Sequence, residues 1–152
     1  GWKGLEAARA IAMLSYRTQQ TYNEGQYEST DTKLSNYKAE SYLRYQGMKL
    51  SKRFDAHTYY ALNKAMDTHH VGRNRGGIEK ALGKISARAL ILGIEGDLLF
   101  TEGEQRTIAE HIQDARLAFI PSRYGHDGFL LEAVKISELI KNFLNESQNE
   151  TH

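Results

Sequence analysis

The 152-residue chain is 40% hydrophobic and 26% charged, a composition typical of one folded globular domain rather than of a disordered chain. It contains no cysteine, which excludes disulfides, thiolate zinc sites and a cysteine nucleophile. The formal net charge of only +1 and the lack of a recognised reader motif argue against nucleic acid as a partner.

The first helix is predicted close to the first residue, in a segment rich in alanine, leucine and methionine. Its apolar positions recur at helical spacing: Leu5, Ala8, Ala12 and Tyr16. This spacing predicts a helix over about residues 5–18. Residues 23–36 mix glycine, serine, threonine, aspartate and asparagine without sustained periodicity, so we predict a flexible loop there.

Three further helices are predicted before residue 86. Apolar side chains at helical spacing indicate helices over about residues 37–53 and 56–68, and Gly47 within the first of them permits close packing. The glycine-rich segment 72–77 is typical of a loop, and a short helix over 78–82 should end at the glycine that follows it. The first half of the chain is thus predicted to be helical.

The second half alternates strands with helices. Residues 89–94 form an apolar run typical of a strand buried on both faces of a parallel sheet, and a capping box at 101–104 predicts a helix to about residue 113. A strand over 117–120 and a closing helix over 130–143 complete a β-α-β-loop-α unit with a right-handed crossover. Two strands do not make a domain, so we expect another chain or a missing N-terminal part to complete the sheet.

A polar residue lies shortly after each predicted strand, Asp97 after the first and His126 after the second. The carboxyl ends of parallel strands are where open α/β sheets place ligands and catalytic groups. An acid followed by a histidine matches the last two members of the Ser, Asp, His order in α/β-hydrolase folds. Taken singly, Asp97 also fits a turn and His126 fits a structural loop histidine, so the prediction depends on the pair.

Five sequence blocks, spread over nearly the whole chain, carry a family resemblance. They are residues 4–17 (GLEAARAIAMLSYR), 40–47 (ESYLRYQG), 65–69 (AMDTH), 96–100 (GDLLF) and 124–132 (YGHDGFLLE). In this order they resemble the homoserine O-acetyltransferase family. The resemblance implies an α/β fold, the C-terminal part of an α/β-hydrolase fold: a helical lid over 1–86, followed by the last two parallel strands with their helices over 87–152. The charge changes near the same boundary, because residues 1–88 carry 15 Lys and Arg against 8 Asp and Glu, and residues 89–152 carry 5 against 11.

The family transfers acetyl from acetyl-CoA to the hydroxyl of L-homoserine through an acyl-serine intermediate, in methionine biosynthesis. The resemblance implies that His126 is the general base and that Asp97 holds its imidazole in the useful tautomer. It also implies that Asp127 binds the substrate ammonium group and that Arg9 and Tyr16 line the homoserine site.

The helix spacing permits these roles without requiring them. Arg9 and Tyr16 lie two helical turns apart, so their long side chains can converge on one ligand. By spacing alone, Arg9 fits pairing with an acidic neighbour equally well, and Tyr16 fits the core. Asp127 also fits a purely local role in its turn.

Acetyl-CoA is expected as a co-substrate, with no tightly bound cofactor and no metal. The adjacent histidines in 67–70 project in different directions, which disfavours a metal site. The basic side chains of 73–84 fit either CoA phosphates or a solvated surface. The tyrosine-rich faces fit helix packing or a homodimer through the lid, through which the family pairs. No leader and no membrane-length apolar run are present in the sequence, so we expect a cytoplasmic protein without a membrane partner.

The serine nucleophile of the family lies on a Gly-x-Ser-x-Gly elbow or a close relative of it, and this sequence contains no such element. We therefore expect a C-terminal portion that needs the N-terminal half of the same enzyme and is inactive alone. Other hypotheses remain open: an acyltransferase with serine as acceptor or succinyl-CoA as donor, a hydrolase of the same fold, or a noncatalytic helical interaction module.

Overall fold

The structure is a computed structural model in which residues 1–149 are described. These residues form two compact units, Gly1–His69 and a second that begins at His70. The first unit is entirely helical. It contains α1 (Trp2–Tyr16), α2 (Gln19–Gln26), α3 (Lys38–Ser51) and α4 (Ala56–Asp67).

The first unit is organised around the packing of α1 against α3. Leu5 and Met13 of α1 are buried, each only 4% exposed. The two helices approach closely at Gly47, where a Cβ atom would lie 2.8 Å from the carbonyl oxygen of Glu6. Ser51 adds a hydrogen bond from its Oγ to Oε1 of Glu6, at 2.9 Å. The predicted role of Gly47 in close packing is thus confirmed.

Two parts of the first unit differ from the sequence prediction. The predicted first helix ends at Tyr16, because Thr18 adopts an extended backbone and caps α2 by accepting a hydrogen bond from the Thr21 N–H. This local cap starts a helix that runs into the predicted loop. In α4, none of the residues is buried, and Met66 of its apolar face is 66% exposed.

The second unit contains the predicted strand, helix, strand arrangement. Its elements are α5 (Ile78–Leu82), β1 (Ala89–Ile94), α6 (Glu102–His111), β2 (Ala115–Ile120), a 3₁₀ turn (Gly125–Asp127), α7 (Gly128–Leu131) and α8 (Ala133–Asn149). The strands pair in parallel, with Ala89 opposite Ala115 and Ile94 opposite Ile120. β2 begins earlier than predicted, and the predicted closing helix is divided at Glu132.

The core of the second unit lies between the strand pair, α5 and α6. Leu82, Ile91 and Ile112 form its buried cluster. Because Leu82 belongs to this cluster, the second unit begins before residue 86, where the sequence predicts the end of the lid. None of the helices among the described residues combines the length and apolar character that a membrane span requires.

Candidate active site

Both strands of the second unit lead into turns that depend on glycine. Gly96, just after β1, has a φ of +73°, and Gly125, after β2, has a φ of +61°. Side chains disfavour this left-handed region, whereas glycine adopts it readily. Each glycine directly precedes one of the predicted catalytic residues, so the two turns present Asp97 and His126 at the same edge of the sheet.

The two side chains meet in a hydrogen bond. The Nδ1 atom of His126 lies 2.9 Å from Oδ2 of Asp97, and the side chains are 13% and 4% exposed. The other carboxylate oxygen, Oδ1, accepts hydrogen bonds from the backbone N–H groups of Leu99 at 2.7 Å and Phe100 at 3.1 Å. Asp97 is therefore held in orientation by three donors, and one of them is the imidazole.

These contacts determine the protonation state of Asp97 and the tautomer of the neutral His126 imidazole. Burial raises the pKa of Asp97, but the hydrogen bonds from His126 and from the N–H groups of Phe100 and Leu99 outweigh it, so the pKa lies below its ordinary value of 3.8. Asp97 is thus a carboxylate at neutral pH and can only accept hydrogen bonds. The neutral imidazole of His126 then carries its proton on Nδ1, which leaves Nε2 as the basic nitrogen.

Two aromatic rings flank the imidazole. The rings of Phe100 and Phe129 each lie 5.2 Å from it, centroid to centroid. The same side chains line a cavity of about 250 Å³, together with Gln105 and the end of β1. Phe100 is 61% exposed and Phe129 is 49% exposed. The pair Asp97 and His126 therefore lines a cavity together with two exposed aromatic side chains.

The other predicted site residues lie in two places. Asp127 is half-buried in the 3₁₀ turn, directly after His126. Arg9 and Tyr16 belong to α1 in the first unit, where Nη1 of Arg9 donates to Oη of Tyr16 at 3.1 Å and the guanidinium lies 5.0 Å from the ring centre. Arg9 also lines a cavity of about 150 Å³ with Lys49 and Arg53.

Two polar residues near His126 were missed by the sequence prediction. Ser122 accepts a hydrogen bond from the Tyr124 N–H at 3.2 Å, and Glu132 forms an ion pair with Lys135 at 2.9 Å. Glu132 is the last residue of the block 124–132, so the sequence contained a signal for it. The contact of Ser122 is visible only in the structure, because no sequence motif or periodicity marks this residue.

The chain is similar in sequence to homoserine O-acetyltransferases and similar in fold to homoserine O-acetyltransferase and esterase structures. The chain is 47% identical over 147 residues to a homoserine O-acetyltransferase from Cyclobacterium marinum, a match that covers 97% of this chain and 42% of that relative. It resembles the crystal structure of homoserine O-acetyltransferase from Bacillus anthracis with a TM-score of 0.85 at 19% identity, over 95% of this chain and 41% of that one. An esterase crystal structure matches with a TM-score of 0.81 at 19% identity, over 94% of this chain and 42% of that one.

These matches confirm the predicted fold class, the C-terminal part of an α/β-hydrolase fold. The chain spans about two-fifths of the length of the curated relatives that it matches. No protein-family model matches it.

Proposed function

We propose that the chain is the C-terminal portion of a homoserine O-acetyltransferase, because it is 37–47% identical to members of that family over nearly its whole length. The full-length enzyme would move acetyl from acetyl-CoA to L-homoserine, as a cytoplasmic step of methionine biosynthesis. The observation that carries the proposal is the 2.9 Å hydrogen bond between Asp97 and His126, at the ends of neighbouring parallel strands.

In this proposal, His126 acts as the general base in both half-reactions. Its Nε2 accepts the proton of the serine hydroxyl as the serine oxygen attacks the thioester carbonyl, and the imidazolium then protonates the departing CoA sulfur. In the second half-reaction Nε2 deprotonates the homoserine hydroxyl, which attacks the acyl-serine, and the proton returns to the serine oxygen. Asp97 stabilises the imidazolium each time. The serine and its oxyanion hole would come from the N-terminal half of the enzyme.

The acceptor would be recognised by its charged amino-acid groups. The Arg9 guanidinium can form a two-bonded fork with a carboxylate, and its contact with Tyr16 restricts its orientation before substrate binds. Asp127 directly follows the general base, so an ammonium group bound there would lie near the reacting hydroxyl. These are roles that we propose for the full-length enzyme.

Exposed apolar side chains support the need for further protein surfaces. Around the site, Phe100 is 61% exposed and Leu130 is 64% exposed, which fits contact with the N-terminal half of the enzyme. In the first unit, Ile11 is 72% exposed and Met66 is 66% exposed. We propose that such exposed apolar side chains contribute to a homodimer through the lid helices.

A hydrolase is the second candidate function, favoured by the fold likeness to an esterase. Both reactions would use the same Asp97 and His126 and would form the same acyl-serine. They differ in the second acceptor, which is homoserine in one case and water in the other. Measuring O-acetylhomoserine and free acetate from the same sample separates the two, and acetate as the sole product would contradict the transferase.

The proposed function is tested by replacing the general base in the full-length enzyme. We expect His126→Ala to lower kcat by several orders of magnitude, whereas the exposed His57→Ala should leave it within about twofold. The isolated 152 residues should show no turnover of acetyl-CoA with homoserine. A His126→Ala enzyme with nearly intact kcat would favour a noncatalytic module instead.

A further inference from the structure

The side chain of Lys135 connects the two ends of the segment that carries His126. This segment runs from Pro121, directly after β2, to Lys135 in the first turn of α8. The ammonium group of Lys135 donates to the carbonyl oxygen of Pro121 at 2.9 Å and pairs with Oε2 of Glu132, also at 2.9 Å. The residues on either side of His126 are thereby joined into a closed loop.

Glu132 connects this fastening to the inside of the loop. It lies at the break between α7 and α8, and its side chain is 16% exposed. Its carboxylate also accepts a hydrogen bond from the hydroxyl group of Ser122, and Ser122 Oγ in turn accepts a hydrogen bond from the Tyr124 N–H at 3.2 Å. The hydrogen bond from Lys135, opposed by burial and assisted by that from Ser122, lowers the pKa of Glu132, so its carboxylate is ionised at neutral pH.

The backbone at Gly128 packs closely against Ser122 inside the loop. A Cβ atom on Gly128, the first residue of α7, would lie 2.7 Å from Ser122 Oγ and 2.8 Å from Cγ2 of Ile94 at the end of β1. Ser122 is therefore held between the carboxylate of Glu132 and the backbone at Gly128. Because the 3₁₀ turn that carries His126 lies between Ser122 and Gly128 in the sequence, we expect a shift of either residue to move this turn.

We propose that Glu132 is a positioning residue for His126: by binding Ser122 and Lys135 together, it holds the imidazole at hydrogen-bonding distance from Asp97. The inference rests on the proposed function and extends it to a residue outside the catalytic pair. A local ion pair on a surface loop contributes little to stability by itself. Its value here is geometric, because a displacement of about 1 Å in a reacting group can cost about 100-fold in rate.

The test starts from three substitutions at two glutamates in the full-length enzyme. Glu132→Ala should lower kcat by about 10- to 100-fold with KM for homoserine within about twofold, since it alters the base and not the acceptor site. Glu132→Gln should recover part of the loss, because its amide oxygen can still accept the Ser122 hydroxyl. The matched control is Glu138→Ala, an exposed glutamate on α8, which should keep the wild-type kcat.

A spectroscopic readout separates positioning from general stability. The Nδ1 proton of His126, shared with Asp97, should give a slowly exchanging downfield proton signal in the wild type and in Glu138→Ala. Glu132→Ala should broaden or abolish this signal while the cooperative thermal transition remains. Ser122→Ala should have a similar effect on kcat, and the double variant should be no worse than the more severe single variant.

Each outcome has a distinct meaning. A Glu132→Ala enzyme with wild-type kcat and an unchanged Nδ1 proton signal would overturn the positioning role, while leaving the proposed function intact. Fully additive losses in Ser122→Ala and Glu132→Ala would overturn the shared network. If the wild-type enzyme shows no acyl transfer, the proposed function fails, and the Nδ1 proton signal still decides whether Glu132 positions the imidazole.

Discussion

Replacing Asp97 by asparagine should reverse the tautomer of His126. Oδ1 of Asp97 accepts two backbone N–H groups, and Oδ2 faces Nδ1 of His126. An asparagine has only one amide oxygen, so it can accept hydrogen bonds either from the two backbone N–H groups or from the imidazole, but not from both. If the amide oxygen keeps the two backbone donors, the NH₂ group faces Nδ1 and forces it to accept, so the imidazole proton moves to Nε2.

The relative costs of the two amide orientations decide which one forms. Turning the NH₂ group towards Leu99 and Phe100 would leave two backbone donors unpaired, at about 1–3 kcal/mol each. When the NH₂ group faces the imidazole, the only cost is the change of tautomer. We expect this free-energy cost to be smaller than that of two unpaired backbone donors. The variant should therefore fold, with a proton on Nε2 that blocks the base. In the serine-protease triad the same substitution lowers kcat by about 10⁴-fold, or about 5.5 kcal/mol at about 1.4 kcal/mol per factor of ten.

The assay is the initial rate of acetyl transfer by the full-length Asp97→Asn enzyme near neutral pH, with folding checked by its urea transition. The nitrogen chemical shifts of the imidazole report the tautomer directly. Asp114→Asn, an exposed aspartate directly before β2, is the matched control and should keep the wild-type rate. A folded Asp97→Asn enzyme whose kcat falls by less than about tenfold would refute the tautomer argument.

Three further predictions concern stability and substrate binding. The pKa of Asp97 is lowered in the fold, so its contribution to stability is present above the unfolded-state pKa of about 3.9 and is lost as the pH falls through the lower folded-state pKa. Urea unfolding should therefore show that the wild type loses more free energy of unfolding than Asp97→Asn as the pH falls from about 5 to about 2. Equal losses in the two proteins would contradict this contribution of Asp97. Gly125→Ala should lower the free energy of unfolding by about 1–2 kcal/mol because φ is +61° there, and an unchanged urea midpoint would show that the turn tolerates a side chain. Arg9→Lys in the full-length enzyme should raise KM for homoserine by about 10-fold or more through loss of the two-bonded fork, with KM for acetyl-CoA within about twofold; the opposite pattern would exclude Arg9 from the acceptor site.

The sequence predicts the second unit better than the first. The bounds of β1 match the apolar run 89–94, and the capping box at Thr101 begins α6 as predicted. These signals are strong because a buried strand must be apolar throughout and a capping box satisfies backbone donors locally. α2 was missed because its polar residues show no apolar periodicity, and a single cap at Thr18 begins it.

The candidate site was predictable only where it follows from strand order. The position of Asp97 and His126 after the two predicted strands, together with the family resemblance, predicted that they lie together, and the structure shows their 2.9 Å contact. Their catalytic roles, and those of Arg9, Tyr16 and Asp127, stay predictions. Glu132 could not have been identified in the same way, because its link to Ser122 depends on a helix break that periodicity does not reveal.

The polar groups of the site have their hydrogen-bond partners within the second unit, whereas its aromatic side chains are still exposed. This difference indicates how the proposed full-length enzyme would assemble. The three hydrogen bonds that the Asp97 carboxylate accepts from Leu99, Phe100 and His126 all come from the second unit. The contact between Asp97 and His126 therefore needs no other segment of the chain. Its aromatic neighbours are not covered to the same degree, since Phe100 is 61% and Phe129 is 49% exposed. Burying a phenylalanine side chain fully contributes about 1.5–3 kcal/mol, whereas exposed charge pairs contribute about 0–1 kcal/mol. We therefore expect apolar burial around the cavity to drive docking of the nucleophile-bearing half, onto a base whose orientation is already set.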